Sequence, residues 1–334
     1  MIARRYTWAM SMRFATVICV ICAAFATLAP ALAGAQAYPA KPIRVVIGGS
    51  PGSNADIFFR IVQPRMGAAL GQPLVVDYRP GAGGALGAGI TVKSQADGYT
   101  IMLVAAGFVM NPALTKTLPF NPAADFTALG LVADVPAGLV VHPSLPAGDV
   151  RQLVALARSR PGVLNYGSAG QGSVSHLAGV LFNLLAKVNT VHVPYKSSGP
   201  SMVDLIAGEI AFSFPTVSGA LQHVQGGRLR LLAQTGARRS AMLKDTPTVQ
   251  EAGLAGFVVN SGFGLVGPGG MPKAVVDSIN SALAKAVQDA GARKAMIDNG
   301  ADPAGGTPQQ HDAYIKSEVA KWIKVVNAAG LKPE

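Results

Sequence analysis

Two hydrophobic periods alternate along this chain: short runs of aliphatic and β-branched residues, and longer stretches with apolar positions three or four apart. Ile43-Arg44-Val45-Val46-Ile47 predicts a first strand, 48–54 a loop of small residues, and 56–70 a helix. A second strand is predicted at 74–78, a glycine-rich turn at 79–84, a helix near 85–94 and a third strand at 100–104. The same order then recurs. A strand at 139–142 leads into a helix at 149–159, closed by Pro161-Gly162. Next come a strand at 164–166, a loop at 167–172 and a helix at 173–185. A strand at 191–193, a helix at 201–207 and strands at 211–214, 229–235 and 258–266 follow. Helices at 272–289 and 308–329 end the chain, the last with Ile315, Val319, Trp322 and Val326 on one face; Tyr314 and Trp322 are expected in the core.

Strands alternating with amphipathic helices predict an α/β protein. The repeated order predicts two lobes, with the final helices returning to the first. Residues 38–140 plus 257–334 would form lobe 1 and residues 141–256 lobe 2, joined by crossovers near 140 and 256.

Residues 1–37 stand apart from this pattern. Arg4, Arg5 and Arg13 precede or open an apolar stretch at 14–28, and no acid occurs before Asp56. The apolar stretch is short for a membrane span, and small-residue sites follow at Ala31-Leu32-Ala33 and Ala35-Gln36-Ala37. This is the grammar of an export signal, with cleavage expected after Ala37 and a periplasmic mature chain. Both cysteines, Cys19 and Cys22, lie inside it, so the mature chain is expected to use no thiol for catalysis, metal binding or a disulfide. The remaining 297 residues are near the size at which one core divides into two. They carry 25 basic against 17 acidic residues, a net charge of +8. The cations are scattered and aromatics are few, which argues against a nucleic-acid partner and for anionic small molecules.

The candidate chemistry lies in two loops of like construction. Gly48-Gly49-Ser50-Pro51-Gly52-Ser53-Asn54 and Gly167-Ser168-Ala169-Gly170-Gln171-Gly172-Ser173 each join a strand to a helix. Small residues admit close backbone approach, and the helix that follows presents unpaired N–H groups at its positive end. Such a junction can bind an anion, and can equally be a plain turn with an N-cap serine. Asp56 and His176 hold corresponding places after the two loops and are expected to brace them. Asn111, beyond the Ala105-Ala106-Gly107 exit of the third strand, is a candidate rim donor. Lys196 could reach the cleft or simply face solvent. Other chemistries fit poorly. Arg79–Gly84 would need glycine at Leu86 to bind a dinucleotide, and a nucleophile elbow around Ser168 would need glycine at Tyr166. No two of His142, His176, His192, His223 and His311 have metal-ligand spacing, so neither metal nor cofactor is expected.

Taken together, the motifs resemble the substrate-binding receptors of tripartite tricarboxylate transporters, the Bug receptor family. The likeness rests on Tyr38-Pro39-x-Lys41-Pro42-Ile43-Arg44, Arg79-Pro80-Gly81-Ala82-Gly83-Gly84, Asp97-Gly98-Tyr99-Thr100 and Asn111-Pro112. It continues through Leu118-Pro119-Phe120, Tyr166-Gly167-Ser168-x-Gly170-x-Gly172-Ser173-x-x-His176-Leu177, His192-Val193-Pro194-Tyr195-Lys196, Asp204-Leu205, Pro247-Thr248 and Glu251-Ala252-Gly253. The resemblance implies a Venus-flytrap fold, two lobes each with a central mixed sheet flanked by helices and a ligand cleft between. It implies a non-enzymatic, usually monomeric receptor that closes on a small organic carboxylate and hands it to membrane transporter subunits. Ligand contacts would map onto Ser50, Pro51, Gly52, Ser53 and Asn54, onto Ala106 and Asn111, onto Ser168, Ala169, Gly170, Gln171 and Ser173, and onto Lys196. Asp56, His176 and Asp204 would support the loops. Two rival readings are a receptor that signals to a sensor kinase and a hydrolase using Ser168 and His176. The sequence departs from the family where Gly48-Gly49 replace Pro-Phe, where Ser53 replaces a glycine, where Ser197 replaces a glycine, and where Gly262-Phe263-Gly264-Leu265 lacks a tryptophan. The lost bulk implies a wider pocket and a larger or aromatic acid.

Overall fold

The structure is a computed structural model and describes residues 38–333; the expected export signal with Cys19 and Cys22 lies outside the described residues. Its elements run β1 (Ile43–Ile47), α1 (Asn54–Leu70), β2 (Leu74–Tyr78), α2 (Ala85–Val92), β3 (Thr100–Val104), α3 (Ala106–Leu114) and β4 (Phe126–Pro136). Then follow β5 (Gly138–Val141), α4 (Val150–Ser159), β6 (Asn165–Ser168), α5 (Val174–Ala186), β7 (Val191–Pro194), α6 (Ser198–Ala207) and β8 (Phe212–Ser213). α7 (Val217–Gln225), β9 (Arg230–Gln234), β10 (Asn260–Pro268), α8 (Lys273–Gln288), α9 (Ala290–Asp298), β11 (Asp302–Gly305) and α10 (Pro308–Ala328) complete the chain. Among the described residues no helix is long and apolar enough to cross a membrane.

The strands form two mixed sheets. One has the order β11-β4-β10-β3-β1-β2 and the other β7-β6-β8-β5-β9. β1 lies parallel to β2 and β3 and is apolar at four of its five positions, as a strand covered on both faces must be. β10 runs antiparallel to both β3 and β4, which ties the late part of the chain back to the early sheet. In the second sheet β6 is parallel to β7 and β8, while β5 is antiparallel to β8 and β9.

The chain leaves the first sheet at Ala137 and returns to it at Asn260. Thr235 stitches both passages together. Its N–H donates to the Ala137 carbonyl at 2.9 Å, and its hydroxyl accepts the Ala137 N–H at 3.1 Å. The same hydroxyl lies 2.5 Å from the carbonyl of Val259, whose N–H returns a bond to the Thr235 carbonyl at 2.9 Å.

The last helix docks on β10 through two notches. Gly262 and Gly264 sit two apart on one face of the strand, where a Cβ would meet the Tyr314 hydroxyl at 2.6 Å and the His311 ring at 2.4 Å. His311 and Tyr314 are one helical turn apart, so one helix face fills both notches. His311 Nδ1 accepts the Gly130 N–H at 3.2 Å, and burial holds its ring neutral by lowering its pKa to about 4. A capping box starts this helix: the Thr307 hydroxyl accepts the Gln310 N–H, and the Gln310 side chain accepts the Thr307 N–H, with Pro308 next.

Beside the crossover, burial raises the Asp134 carboxyl pKa to about 6, and Asp302 and Glu318 push the same way against Arg238 and an Asn260 hydrogen bond. Asn260 Nδ2 donates to Asp134 Oδ2 at 2.6 Å, while Asp134 Oδ1 and Asn260 Oδ1 are buried without a partner. Folded chain therefore keeps the proton up to about pH 6, and unfolded chain only to about pH 4. Folding takes up a proton between those values, so this group's contribution to stability falls as pH rises through that window. Asp134→Asn is expected to remove that loss and to supply a donor for Asn260 Oδ1. By thermal unfolding the variant should be more stable by about 1–3 kcal/mol at pH 7.5, with a flatter pH dependence between about pH 4 and 6.

Candidate functional site

The two loops singled out in the sequence have the same backbone and the same bracing. Ser53 and Ser173 each cap the following helix with φ −67° and ψ 160°. Each serine donates its N–H three residues back, Ser53 to Ser50 at 3.1 Å and Ser173 to Gly170 at 3.2 Å. Each hydroxyl accepts the N–H of the third helical residue, Asp56 at 3.4 Å and His176 at 3.2 Å. The glycine before each cap is left-handed, with φ 78° at Gly52 and 72° at Gly172, which turns its N–H toward that third residue. Gly52 N–H donates to Asp56 Oδ2 at 2.9 Å, and Gly172 N–H donates to His176 Nδ1 at 3.1 Å.

The loops differ in charge. Burial works against ionisation of Asp56, yet the Gly52 N–H, the Tyr78 hydroxyl and Arg60 together hold its carboxyl below the usual range. Tyr78 donates to it at 2.7 Å and Arg60 Nε at 2.8 Å. His176 goes the other way. Burial, with the His192 ring stacked 4.0 Å away, lowers its pKa to about 4, so the ring is neutral near pH 7. Since Nδ1 accepts from Gly172, the neutral ring carries its proton on Nε2.

Between the two sheets lies a cavity of about 720 Å³, with Asn111, Thr115 and Ser261 on the first-sheet side and Gln171, Ser173, Ser175, His176, Ser198 and Thr216 on the second. Among the described residues no Asp or Glu lines it, and Lys332 is the one formally charged lining residue. A second cavity of about 270 Å³ lies beside the first loop, and Gly83 lines both. Asn111 Nδ2 donates to the Ala82 carbonyl at 3.2 Å, in a turn where Ala82 has φ 46° and Gly83 φ 61°. This bond ties the turn to α3.

Of the residues expected to meet a ligand, Asn111, Ala169, Gln171 and Ser173 line the large cavity, together with His176; Ser53 and Asn54 line the small one. Others fall elsewhere. Ser50, Pro51 and Gly52 are not among the lining residues of either cavity, nor are Ala106, Gly170 and Lys196. Ser168 is 1% exposed, its hydroxyl occupied by His192 Nε2 at 2.6 Å and by the Gly170 backbone. That places Ser168 with His192, not with His176 as a hydrolase reading expected. Asp204 accepts the Tyr195 hydroxyl at 2.6 Å, and the Tyr195 carbonyl lies against Gly170, so it acts at one remove from the second loop. The loop's own backbone is largely committed: Ala169 N–H donates to Ser175 Oγ, Gly170 to Ser168 Oγ, Gly172 to His176 and Ser173 to the Gly170 carbonyl. Donors for a ligand must therefore come mostly from side chains and the first turn of α5.

Thr115, Ser175, Ser198, Thr216 and Ser261 were not signalled as lining residues. Ser198 and Thr216 stand at helix starts after β7 and β8, the same strand-to-helix junction as the two loops, and recognising α7 would have exposed Thr216. The glycines expected to widen the pocket are places of close packing: Gly48 and Gly49 line the small cavity, yet a Cβ on either would meet a neighbour. A Cβ at Gly48 would lie 2.7 Å from Gly84 Cα, one at Gly49 would lie 2.6 Å from Ser53 Oγ, and the notch at Gly262 is filled by Tyr314. Their small size is used for close packing.

A two-sheet α/β chain with a cavity between its sheets that mixes hydroxyl and amide groups with apolar walls has the architecture of a ligand-capturing binding protein. The chain matches the model described as tripartite tricarboxylate transporter family receptor over residues 58–331. It is 34% identical to Protein BugT of Bordetella pertussis over 300 residues, 89% of this chain and 92% of that one. A protein of R. palustris solved with adipate shares 33% identity with a TM-score of 0.73, over 89% of this chain and all of the other. MatC from Rhodopseudomonas palustris, solved with bound malate, shares 28% with a TM-score of 0.69, over 86% and 100%. The chain belongs to the tripartite tricarboxylate transporter receptor family, and its fold is the two-lobed Venus-flytrap of periplasmic binding proteins.

The turn at 79–84 depends on a close approach: a Cβ on Gly107 would lie 2.4 Å from the Gly83 carbonyl oxygen. Gly107→Ala is expected to force α3 off this turn and to cost about 1–3 kcal/mol in denaturant unfolding. Gly89→Ala, in α2 with only an ordinary 3.8 Å contact to Pro119, should instead be neutral or stabilising by up to about 1 kcal/mol.

Proposed function

We propose that this chain is a periplasmic, non-enzymatic receptor that captures a small organic carboxylate between its lobes and delivers it to the membrane subunits of a tripartite tricarboxylate-type transporter. It works as a monomer, with residues 38–140 plus 257–334 and residues 141–256 moving as two bodies about the crossovers. The observation that carries this reading is the large cavity between the sheets, where hydroxyls and amides stand among apolar side chains and no carboxylate lines it among the described residues. Relatives of known structure hold adipate and malate, both carboxylates, which supports the same ligand class here.

Binding needs no formal cation in such a site. The first turn of α5 presents unpaired N–H groups and the positive end of a helix dipole, and neutral His176 adds no negative charge beside it. Closure of the lobes would expel water, and each hydrogen bond to the carboxylate strengthens as the local dielectric falls. Membrane partners would then recognise the closed form.

The test is titration calorimetry and thermal shift on the chain lacking residues 1–37. A carboxylate at a hundred times its Kd should stabilise by about 2.7 kcal/mol and raise the Tm by about 4–5 °C. His176→Asn can still accept the Gly172 N–H, as Asp56 does for Gly52, and is expected to keep the Kd within about threefold. His176→Asp keeps the same bond but sets a carboxylate in the cavity wall, and should weaken anion binding at least tenfold. If no carboxylate shifts the melting transition, the receptor reading fails.

A further inference from the structure

We infer that the joint between the two sheets responds to protons: Asp134 and Asn260 share a proton in an acid–amide pair beside the crossover, and loss of that proton loosens the joint. Such a joint works with the cleft empty, and so stands apart from the identity of any ligand.

Both residues stand where the chain passes between the sheets. Asp134 lies on β4 three residues before Ala137, and Asn260 follows Val259 and opens β10. Asn260 Nδ2 donates to Asp134 Oδ2 at 2.6 Å, and the other oxygen of each group, Oδ1, is buried without a partner. Two acceptors cannot satisfy one another. One proton on Asp134 Oδ1 satisfies both: the carboxyl donates to Asn260 Oδ1 while it accepts from Asn260 Nδ2, and the pair closes as a ring of two hydrogen bonds.

The pair touches both sides of the joint. A Cβ on Gly236, next to Thr235, would lie 3.4 Å from Asn260 Oδ1, so the segment after β9 packs against it. Asp302 is in register with Asp134 across β11 and β4, and its Oδ1 accepts the Ala241 N–H of that same segment at 3.0 Å. Two residues earlier, a Cβ on Gly300 would lie 2.3 Å from Ser218 Cβ in the first turn of α7. β11 and the loop before it are therefore a strut from the first sheet to elements of the second, separate from the Thr235 crossover.

Charged neighbours set which state the pair prefers. Burial opposes ionisation of Asp134 most, Asp302 on β11 and Glu318 on α10 oppose it further, and Arg238 in the segment after β9 favours it. Glu318 is itself held by Lys321 Nζ at 2.6 Å and Trp322 Nε1 at 3.0 Å, and burial keeps the Tyr314 phenol un-ionised. Lys321 also donates to the Val258 carbonyl at 3.2 Å, on the returning passage. When Asp134 ionises, the ring is lost, Asn260 Oδ1 has no donor, and Asp302 meets a like charge across the ladder while it holds Ala241. Opening the joint admits water to these groups and relieves both. The closed joint keeps the proton up to about pH 6 and an opened joint only to about pH 4, so opening becomes easier as pH rises through that window.

The experiment is amide hydrogen exchange by NMR on the ligand-free chain lacking residues 1–37, at pH 5 and pH 7, with each rate normalised to its intrinsic value. The reporters are the N–H groups of Ala137, Thr235 and Val259 at the crossover and of Ala241 on the strut, with those of β1 as reference. The reporters are expected to open more readily than β1, and their protection to fall about three- to tenfold from pH 5 to pH 7. In Asp134→Asn an amide supplies the missing donor without titrating, and the fall should shrink to less than about twofold. In Asn260→Ala the reporters' protection at pH 5 should drop toward the pH 7 value of the unsubstituted chain. Reporters as strongly protected as β1 at both pH values would show that the joint does not open by itself. An undiminished fall in Asp134→Asn would place the proton elsewhere. Either result overturns the inference and leaves the receptor reading untouched.

Discussion

One buried hydroxyl sits where the two sheets are joined, and the cleft takes its position from there. Thr235 is fully buried and closes hydrogen bonds onto both passages of the chain, Ala137 on the way out and Val259 on the way back. Each passage continues directly into a sheet strand, so this point fixes where the two sheets connect. The strand-to-helix junctions of β1, β3, β6 and β8 then all open on the same side, outside the carboxyl ends of parallel strands. A cleft with polar helix starts on both walls follows from that arrangement with no special residue at its centre.

The two matched loops show how a single local solution can serve opposite electrostatic ends. Backbone angles, cap serine and left-handed glycine coincide, and the third helical residue accepts the same glycine N–H in both. Only the chemistry of that acceptor differs: an ionised carboxylate held by Tyr78 and Arg60 in one, a neutral imidazole against His192 in the other. The hydrogen-bond geometry is therefore independent of the charge, and one wall of the cleft carries a negative group behind it while the other does not.

Strands β1, β2 and β3 are legible in the sequence to the residue, because each is a short apolar or β-branched run bounded by Pro, Gly or Asp. The α3 helix escapes sequence reading because Gly107 and Pro112 break its propensity; it persists because its glycine lets Gly83 approach and its Phe108 packs against Phe120 and Phe126. The long β4 strand carries Gly130 and Pro136, which suggest loop, and is held by pairing with β10 along most of its length. β11, Asp-Pro-Ala-Gly, has no strand signal of its own and exists as an edge through its register with β4. In the site, the loops were legible because cap and brace lie three and four residues apart. Ser168 and Lys196 were harder: whether a side chain at a strand end faces cleft or core depends on pairing partners far along the chain, such as His192. The notch that receives Tyr314 at Gly262 joins residues more than fifty positions apart, so a missing bulky residue could not be told from a filled space.

The second loop satisfies nearly all of its own backbone donors, and that has a kinetic meaning. A loop whose N–H groups are already spent on Ser168, Ser175 and His176 has little reason to rearrange when a ligand arrives. A loop braced in this way before capture has its ordering entropy settled during folding, so little of it should be lost on binding. Encounter should then be limited by diffusion and by the swing of the lobes, and differences among ligands should be written in how long each one stays.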